Sequence, residues 1–420
     1  MMTTASSSHL DTMNFLNEIP DRYPDAISFA SGRPASQFFR IEQWIGELDR
    51  YADADGESAR SARFAALAQY GRTAGIVQEA IARQLAADEQ IACEPEQIVV
   101  TAGCQEAMDL CVKAVCSGKE DVILTRNACY VGIIGVALVN GKRIVPIDEA
   151  ASRTFAESLA ATIEAVLREG CKPKLLYLVP DFDNPSGTVI SCAERQAILN
   201  ICARNEVLVL EDDPYGLFRY EGEDIAPMFA LDEHGCVIYL GTYSKTLCPT
   251  LRIGFALFPV RLFGHAAPAV TLANRVVQFK SFSTVNTSQI TQAIVGGVLA
   301  SESFSLRGLT AAPCAHYRRN RDTMLEQLDA TMPDATGGVR WNRPEGGFFL
   351  CVELPFRMGR AEVTRCAQEH GVIVMPVSLF TLDDAHERRV RLAFSNVVPD
   401  AVTEGVKRFA SYVADALATR

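Results

Sequence analysis

Short apolar runs alternate with longer amphipathic stretches over the first two thirds of the chain. Apolar runs of about four to eight residues between turn-forming residues predict buried strands, and apolar positions at helical spacing predict helices. Strands separated by helices are typical of β/α units with a largely parallel, buried sheet. The predicted strands are 98–101, 121–124, 143–146, 174–179, 207–210, 237–240 and 253–258, and predicted helices include 102–115, 129–139, 157–169 and 193–205.

The pattern changes beyond about residue 275, where helices and strands no longer alternate regularly. This mixture predicts a second module of the α+β class. The predicted helices there are 288–300, 313–328, 361–370 and 401–418, and the predicted strands are 339–341, 347–352, 372–375 and 389–394. Ahead of the β/α region, helices are predicted at 11–19, with Asp11 as a possible cap, at 41–69 with an interruption near 52–58, and at 76–87.

Composition narrows the classes of function. The net charge of −11 argues against a nucleic acid or an anionic membrane as partner. No apolar run approaches the roughly 18 residues of a membrane helix, and the N-terminal residues lack a signal-peptide pattern. Thirteen cysteines are scattered singly, and neither they nor the six histidines show metal-ligand spacing. We therefore expect a cytoplasmic enzyme with reduced cysteines and no metal site.

A lysine among hydroxyl groups directly follows the predicted strand 237–240. A lysine that is removed from water can lose its proton near neutral pH, and its amine then attacks an aldehyde. Lys245 has this setting, and Arg252, seven residues later, supplies a fixed charge that suits a phosphate. An aldehyde that carries a phosphate is pyridoxal 5′-phosphate (PLP). Lys245 is therefore predicted to form a Schiff base with PLP, the alternative being a loop lysine near a loop arginine.

Candidate ligands of such a cofactor follow the predicted strand ends, where parallel sheets bind their ligands. The strand–glycine–helix sequence around Gly103 directs backbone N–H groups and the positive end of the helix dipole at a phosphate. The predicted phosphate cup consists of Gly103, Cys104, Gln105, Thr242, Ser244 and Arg252.

The pyridine ring needs an anion, a hydrogen-bond donor and a stacking partner. Asp212 suits the ring nitrogen, because the Asp-x-x-Tyr spacing allows it and Tyr215 to address one ring; Asp213 is the competing residue. Asn184 and Tyr215 are both candidates for the donor to the ring oxygen. Tyr130 is the predicted stacking residue, although a core aromatic at a helix start is the alternative.

The substrate side of the site needs a cation for a carboxylate. Arg391 lies inside an apolar strand, where it must be paired; a substrate carboxylate and a structural ion pair are the two alternatives. Gly32 is either a plain turn glycine or a point of close approach to a ligand, and Arg33 is either solvated or meets a substrate carboxylate. Phe348, Phe349 and the stretch 275–285 are expected to shape the pocket.

Taken together, these residues resemble the PLP-dependent aminotransferases of fold type I, class I/II, over about residues 25–400. The order and spacing of the motifs match as a set. They are Tyr70-Gly71-x-x-x-Gly75, Thr101-x-Gly103-x-Gln105, Asn184-Pro185-Ser186-Gly187, Asp212-x-x-Tyr215, Ser244-Lys245-x-x-x-Pro249-x-x-Arg252-x-Gly254, Pro344-x-Gly346-Gly347 and Arg391-Leu392-x-Phe394-Ser395.

The resemblance implies an α/β fold like that of aspartate aminotransferase, with a mostly parallel sheet of seven strands in a large PLP domain and a smaller α+β domain. The expected division is an N-terminal segment 1–45 that packs with the small domain, a large domain 46–285 and a small domain 286–420. The resemblance further implies a homodimer with shared active sites, in which Tyr70 reaches the phosphate of the neighbouring subunit. Lys245 is expected to act as the proton shuttle as well.

Residues 13–19 and the loop 27–34 are most similar to aminotransferases of the aminoadipate/kynurenine type and of antibiotic pathways, although Cys104 stands where a serine is usual. We expect transfer of an amino group between an amino acid, possibly aromatic or non-proteinogenic, and a 2-oxo acid. One alternative is a natural-product enzyme of the same fold that performs cyclisation, γ-replacement or C–C bond formation. A PLP-sensing regulator, which would carry a basic DNA-binding module ahead of the fold, is disfavoured by the acidic charge and the short stretch of about 25 residues there.

Overall fold

The computed structural model describes residues 15, 18–53, 57–149, 152–332, 338–383 and 385–419. Most of the predicted helix 11–19, including Asp11, lies outside these residues. Among the described helices, none combines the length and apolar character needed to cross a bilayer.

Within the described residues, the largest sheet has seven strands, and all the strands predicted in the β/α region belong to it. The first strand of the chain, β1 Ile27–Ser28, lies outside this sheet. The seven strands of the sheet are β2 Ile98–Thr101, β3 Asp121–Arg126, β4 Arg143–Ile147, β5 Lys172–Leu178, β6 Leu208–Asp213, β7 Val237–Thr242 and β8 Gly254–Leu257. The order is β2-β8-β7-β6-β5-β3-β4, and β8 runs antiparallel to both of its neighbours whereas the remaining pairs are parallel. The predicted α/β fold with a mostly parallel sheet is confirmed.

Strand ends differ from the prediction where polar residues continue a ladder. Strand β6 runs on to Asp213, because its backbone pairing with β7 extends to Gly241 and needs no apolar side chains. Besides the helical residues 18–22, the described helices are Ile41–Asp53, Glu57–Leu67, Gln78–Asp88, Cys104–Val115, Val131–Val139, Phe155–Arg168, Cys192–Arg204, Met228–Leu231, Ala266–Ser283, Gln289–Ser301, Arg307–Thr331, Arg360–His370 and Pro399–Ala418. Arg307–Thr331 begins six residues before the predicted start, because Pro313 lies inside the helix rather than at its first position.

A second, antiparallel sheet is built from the C-terminal part of the chain. Its strands are β9 Arg340–Trp341, β10 Phe349–Glu353, β12 Met375–Pro376 and β13 Arg389–Ala393, in the order β12-β13-β10-β9, and the separate strand β11 is Val372–Ile373. The predicted strand 372–375 is thus divided, because Ile373 pairs with Ser28 of β1 whereas Met375 pairs with Arg391 of β13.

The N-terminal strand β1 lies parallel to β11. The pairing continues beyond the strand, since Phe29 donates its N–H to Ile373 and accepts a hydrogen bond from the N–H of Ala393. The residues that follow β1 are therefore fixed between the C-terminal sheet and the carboxyl ends of the parallel strands.

Candidate active site

A cavity of about 290 Å³ lies where residues from the carboxyl ends of β2, β5, β6 and β7 face β13 and the loop after β1. This volume is near the lower end of the range of roughly 300–1,000 Å³ that is usual for small-molecule sites. Among the residues predicted from the sequence, those that line the cavity are Gly32, Arg33, Cys104, Gln105, Tyr130, Asn184, Asp212, Tyr215, Thr242, Ser244, Lys245, Arg252, Phe349 and Arg391.

Lys245 follows β7 and extends its amine across the cavity. Its Nζ donates a hydrogen bond to the carbonyl of Gly32 at 3.1 Å. Burial and, to a smaller extent, the charge of Arg391 lower the pKa of Lys245 to about 8, although Asp212 acts in the opposite sense. A pKa of about 8 makes the neutral amine, which a nucleophile or a base requires, accessible near physiological pH.

Asp212 is 5% exposed and receives hydrogen bonds from two uncharged donors. The hydroxyl of Tyr177 lies 2.7 Å from Oδ2, and Sγ of Cys104 lies 3.1 Å from Oδ1. Burial raises the pKa of Asp212 above its ordinary value, and these hydrogen bonds together with the charge of Lys245 offset only part of that rise. The adjacent Asp213 does not line the cavity but accepts hydrogen bonds from the N–H of Gly216 and the hydroxyl of Tyr239. Consecutive strand residues point to opposite faces, so only one of these two carboxylates faces the cavity.

A candidate anion-binding corner lies where helix Cys104–Val115 begins. Arg252, itself in the left-handed region at φ +52°, directs Nη1 at Ser244 Oγ (3.4 Å) and Nη2 at the carbonyl of Ala102 (3.2 Å). Gly103 does not line the cavity; it has φ +84°, and a Cβ built there would lie 2.3 Å from Arg252 Nη2. A glycine is therefore required for the close approach of the guanidinium to the helix N-terminus, where free N–H groups favour a phosphate.

Arg391 is 4% exposed and is enclosed between two aromatic rings. Its guanidinium carbon lies 4.3 Å from the ring centre of Phe349 and 4.8 Å from that of Phe380. Nη1 donates to Asn184 Oδ1 at 2.7 Å, Nη2 donates to the carbonyl of Ala30, and Nε has no partner among the described residues. Burial lowers the pKa of Arg391 to about 10. No described carboxylate pairs with Arg391, so its charge is available to an anion that enters the cavity.

The aromatic residues divide into cavity walls and their supports. Tyr130 precedes helix Val131–Val139, its hydroxyl lies 3.5 Å from Gln105 Oε1, and burial raises its pKa to about 12. The ring of Tyr215 packs edge-on against Phe349 and Phe348. Phe348 is fully buried behind these rings and does not line the cavity. Gly32 leaves room for the ring of Phe349, because a Cβ at position 32 would lie 2.3 Å from Cζ of Phe349.

Two other predicted contributors lie elsewhere. The side chain of Tyr70 is 86% exposed and outside the cavity. The stretch 275–285 also contributes no side chain to the cavity wall, and Phe282 within it is 92% exposed. Sequence reasoning missed Tyr177, Phe380 and Ala30, which all line the cavity. The first two lie in apolar segments that read equally well as core, so nothing in their sequence context singled them out.

The donor set fits PLP. A cationic corner at a helix N-terminus suits the phosphate, a buried carboxylate suits a protonated ring nitrogen, and a lysine of lowered pKa suits the aldehyde. All three border the same cavity, and Arg391 remains for the carboxylate of an amino acid.

Comparisons with known proteins agree with this geometry. Residues 25–409 match the family described as aminotransferase class I and II. The chain is 35% identical over 410 residues to (S)-3,5-dihydroxyphenylglycine transaminase from Amycolatopsis orientalis, covering 96% of this chain and 91% of that protein.

Two solved structures share the whole fold at 26% identity. The multiple substrate aminotransferase from Thermococcus profundus has a TM-score of 0.83 and covers 100% of this chain and 97% of its own. The α-aminoadipate aminotransferase LysN from Thermus thermophilus, complexed with N-(5′-phosphopyridoxyl)-L-leucine, has a TM-score of 0.78. The match covers 97% of this chain and 96% of the LysN chain. The chain therefore belongs to the class I and II aminotransferases, and it is a PLP-dependent enzyme that moves amino groups between amino acids and 2-oxo acids.

Proposed function

We propose that this aminotransferase takes its amino group from an aromatic or aryl-substituted amino acid and passes it to 2-oxoglutarate, with Lys245 as the reactive amine. The observation that carries the proposal is the convergence of Lys245, Asp212 and Arg391 on one cavity. The name of the Amycolatopsis relative, a transaminase of a dihydroxyphenylglycine, supports the aryl donor.

When bound, PLP supplies an aldehyde that condenses with amines and a ring that withdraws electrons from the substrate's Cα. Lys245 is the residue that would hold the aldehyde as a Schiff base. Asp212 would accept a hydrogen bond from the protonated ring nitrogen, and Asn184 or Tyr215 would donate to the ring oxygen. Tyr130 would stack on the ring, while Arg252, Ser244, Thr242 and the N–H groups from Gly103 to Gln105 would hold the phosphate.

Proton movement falls to Lys245. Its pKa of about 8 allows the amine to be neutral when the substrate's Cα proton must be removed and to return the proton as an ammonium group. The hydrogen bond from Nζ to Gly32 holds the amine on the side of the cavity that faces the loop after β1.

The carboxylate common to both substrates would bind Arg391, whose Nε has no partner among the described residues. The second carboxylate of 2-oxoglutarate needs another cation, and Arg33 at the cavity rim is exposed and close enough to line it. Replacing Arg33 by Gln should therefore raise the KM for 2-oxoglutarate by roughly tenfold while the KM for an aromatic donor changes little.

A homodimer with shared sites is part of the proposal. The segment that ends at Tyr70 is joined to the start of helix Gln289–Ser301, because the Gln289 side chain donates to the carbonyl of Ala66. Phe282, Val285 and Ile290, which flank Gln289 in the sequence, are exposed apolar side chains. Clustered exposed apolar side chains are typical of interaction surfaces. In the proposed dimer a second copy covers these side chains, and Tyr70 contributes to the partner's phosphate cup.

The proposal also includes the division of the chain into domains and a cytoplasmic location. The proposed division is an N-terminal segment 1–45, a large domain 46–285 and a small domain 286–420, and the pairing of β1 with β11 supports the packing of the N-terminal segment with the small domain. Thirteen cysteines that are all free thiols fit the reducing cytoplasm.

The proposal is tested by incubating the purified enzyme with PLP, 2-oxoglutarate and a panel of proteinogenic and aryl amino acids. Mass analysis should find the matching aryl 2-oxo acid and glutamate in equal amounts, and Lys245→Ala should yield neither. Products of cyclisation or replacement without glutamate would exclude transamination as the main reaction.

A further inference from the structure

A buried lysine lies behind the anion-binding corner, outside the set of residues that line the cavity. Lys280, in the last turn of helix Ala266–Ser283, is 0% exposed. Its Nζ lies 2.8 Å from Glu106 Oε2 and 2.9 Å from Thr284 Oγ1. Burial lowers the pKa of Lys280, and Glu106 opposes that shift. A buried charge of this kind persists only with a close counter-ion.

Glu106 connects Lys280 to the turn that precedes the helix. It lies in the first turn of Cys104–Val115, and its Oε2 accepts the N–H of Ala102 at 2.5 Å. Thr284 Oγ1 donates to its other oxygen at 2.6 Å. The carbonyl of Ala102 in turn accepts a hydrogen bond from Arg252. Residue Ala102 is thus held by Glu106 through its N–H and by Arg252 through its carbonyl.

This arrangement raises an electrostatic problem. A phosphate at the helix N-terminus carries about two negative charges, and the carboxylate of Glu106 belongs to the same helical turn as the cavity-lining Cys104 and Gln105. Without a counter-ion, Glu106 would repel the phosphate across a poorly screened interior. Lys280 provides that counter-ion, and the ion pair leaves Glu106 able to fix the turn without adding net charge.

We propose that Lys280 is a positioning residue for the cofactor phosphate, which neutralises Glu106 and so permits this carboxylate to hold the turn at Ala102 beside the phosphate cup. The inference rests on the proposed location of the phosphate beside Arg252. It assigns a function to a side chain that touches neither cofactor nor substrate.

The test compares binding of PLP with binding of pyridoxal, which lacks the phosphate, by absorbance titration of the apoenzyme. Lys280→Met should weaken PLP binding by roughly tenfold or more and leave pyridoxal binding nearly unchanged, because the unpaired carboxylate repels only the phosphate. The double variant Lys280→Met/Glu106→Gln should recover most of the PLP affinity, since the glutamine oxygen can still accept the N–H of Ala102 and its amide can donate to Thr284.

Lys113→Met is the matched control. Lys113 lies on the same helix as Glu106 and pairs with Asp109 at 2.6 Å. Because its side chain is 40% exposed, the variant should bind PLP like the wild type. Equal weakening of PLP and pyridoxal by Lys280→Met, or no recovery in the double variant, would show a structural role and overturn the proposal.

Glu106→Gln alone keeps the test decisive if Lys280→Met does not fold. With a lysine left beside a neutral amide, PLP should bind at least as tightly as in the wild type, and weaker binding contradicts the charge argument. Arg252→Ala checks the underlying location: it should reduce the preference for PLP over pyridoxal. An unchanged preference would reject the phosphate cup itself rather than the role of Lys280.

Discussion

Asp212 shows how uncharged neighbours set the charge of a buried acid. Burial favours the protonated carboxyl group, whereas hydrogen bonds from Tyr177 and Cys104 favour the carboxylate. The two donors and the burial therefore act against each other, and the role proposed for Asp212 beside the cofactor's ring nitrogen needs the carboxylate. Replacing Cys104 by Ser keeps a donor at this place, and we expect it to change little.

Tyr177→Phe should raise the pKa of Asp212, because one hydrogen bond to the charged form is lost. The acid limb of the pH profile of kcat/KM should therefore move to higher pH, by roughly one unit for a hydrogen bond to a charged group. Tyr239→Phe is the control, since it removes the equivalent donor from Asp213, at 2.9 Å, which does not line the cavity. If both variants move the limb equally, the effect does not act through Asp212.

Lys245 is expected to reduce the stability of the apoenzyme below about pH 8. Its folded-state pKa is lowered from 10.5 to about 8, so the unfolded chain binds the proton more tightly. The contribution of this group to the free energy of unfolding therefore rises with pH between about 8 and 10.5 and is least favourable below about 8. Lys245→Met should make the apoenzyme more stable at pH 7, by on the order of 1 kcal/mol.

Urea unfolding of the two apoenzymes at several pH values measures this difference. The gap between variant and wild type should narrow as pH rises towards 10.5, whatever the other titrating groups do, because they are common to both proteins. A constant gap across this range would mean that the lysine is not desolvated in the folded state.

Gly103, in the turn between β2 and helix Cys104–Val115, has a positive φ and also lies in close contact with Arg252. The effects of these two features on a substitution can be tested separately. Gly103 and Gly264 have nearly the same φ, +84° and +85°, but only Gly103 has neighbouring atoms where a Cβ would lie. Ala at either position should lower stability by roughly 1–3 kcal/mol, because both positions have a positive φ that residues with a Cβ rarely adopt. Only Gly103→Ala should also weaken PLP binding, since its methyl group displaces Arg252. Equal loss of PLP affinity in both variants would contradict this.

The elements that carry the site differ in how well the sequence predicts them. Strands β2 and β7 are short apolar runs that end in glycine or hydroxyl residues, so the polar residues after them could be assigned to one edge of a parallel sheet. Tyr177 lies within such a run, and its contact with Asp212 depends on strand order and register between β5 and β6. The sequence predicts neither, because both depend on contacts between distant segments.

The complete site combines the loop after β1, the ends of the parallel strands and β13 of the C-terminal sheet. The carbonyl of Gly32 meets Lys245, and that of Ala30 meets Arg391, across more than 200 residues in each case. A motif can suggest the chemistry of each residue, but these contacts follow from the pairing of β1 with β11. Phe380 was missed for the same reason, since only the folded chain stacks it on Arg391.

The exposed position of Tyr70 leads to a test of the proposed shared site. If Tyr70 acts on the partner's cofactor, a mixed dimer of Lys245→Ala and Tyr70→Ala subunits contains one site with both changes and one wild-type site. Random mixing of the two variants should then restore about a quarter of wild-type activity at limiting PLP, because half of the dimers are mixed and each has one working site. Differently tagged subunits allow the mixed dimer to be isolated, and it should show about half of wild-type activity. If Tyr70 acts within its own subunit, every site in the mixed dimer carries one change, so an inactive mixed dimer would reject the shared site.

Phe282→Glu tests the proposed dimer interface itself. In an otherwise wild-type protein, this substitution should shift the sedimentation towards monomers, because it places a charge on an exposed apolar side chain where the second copy would pack.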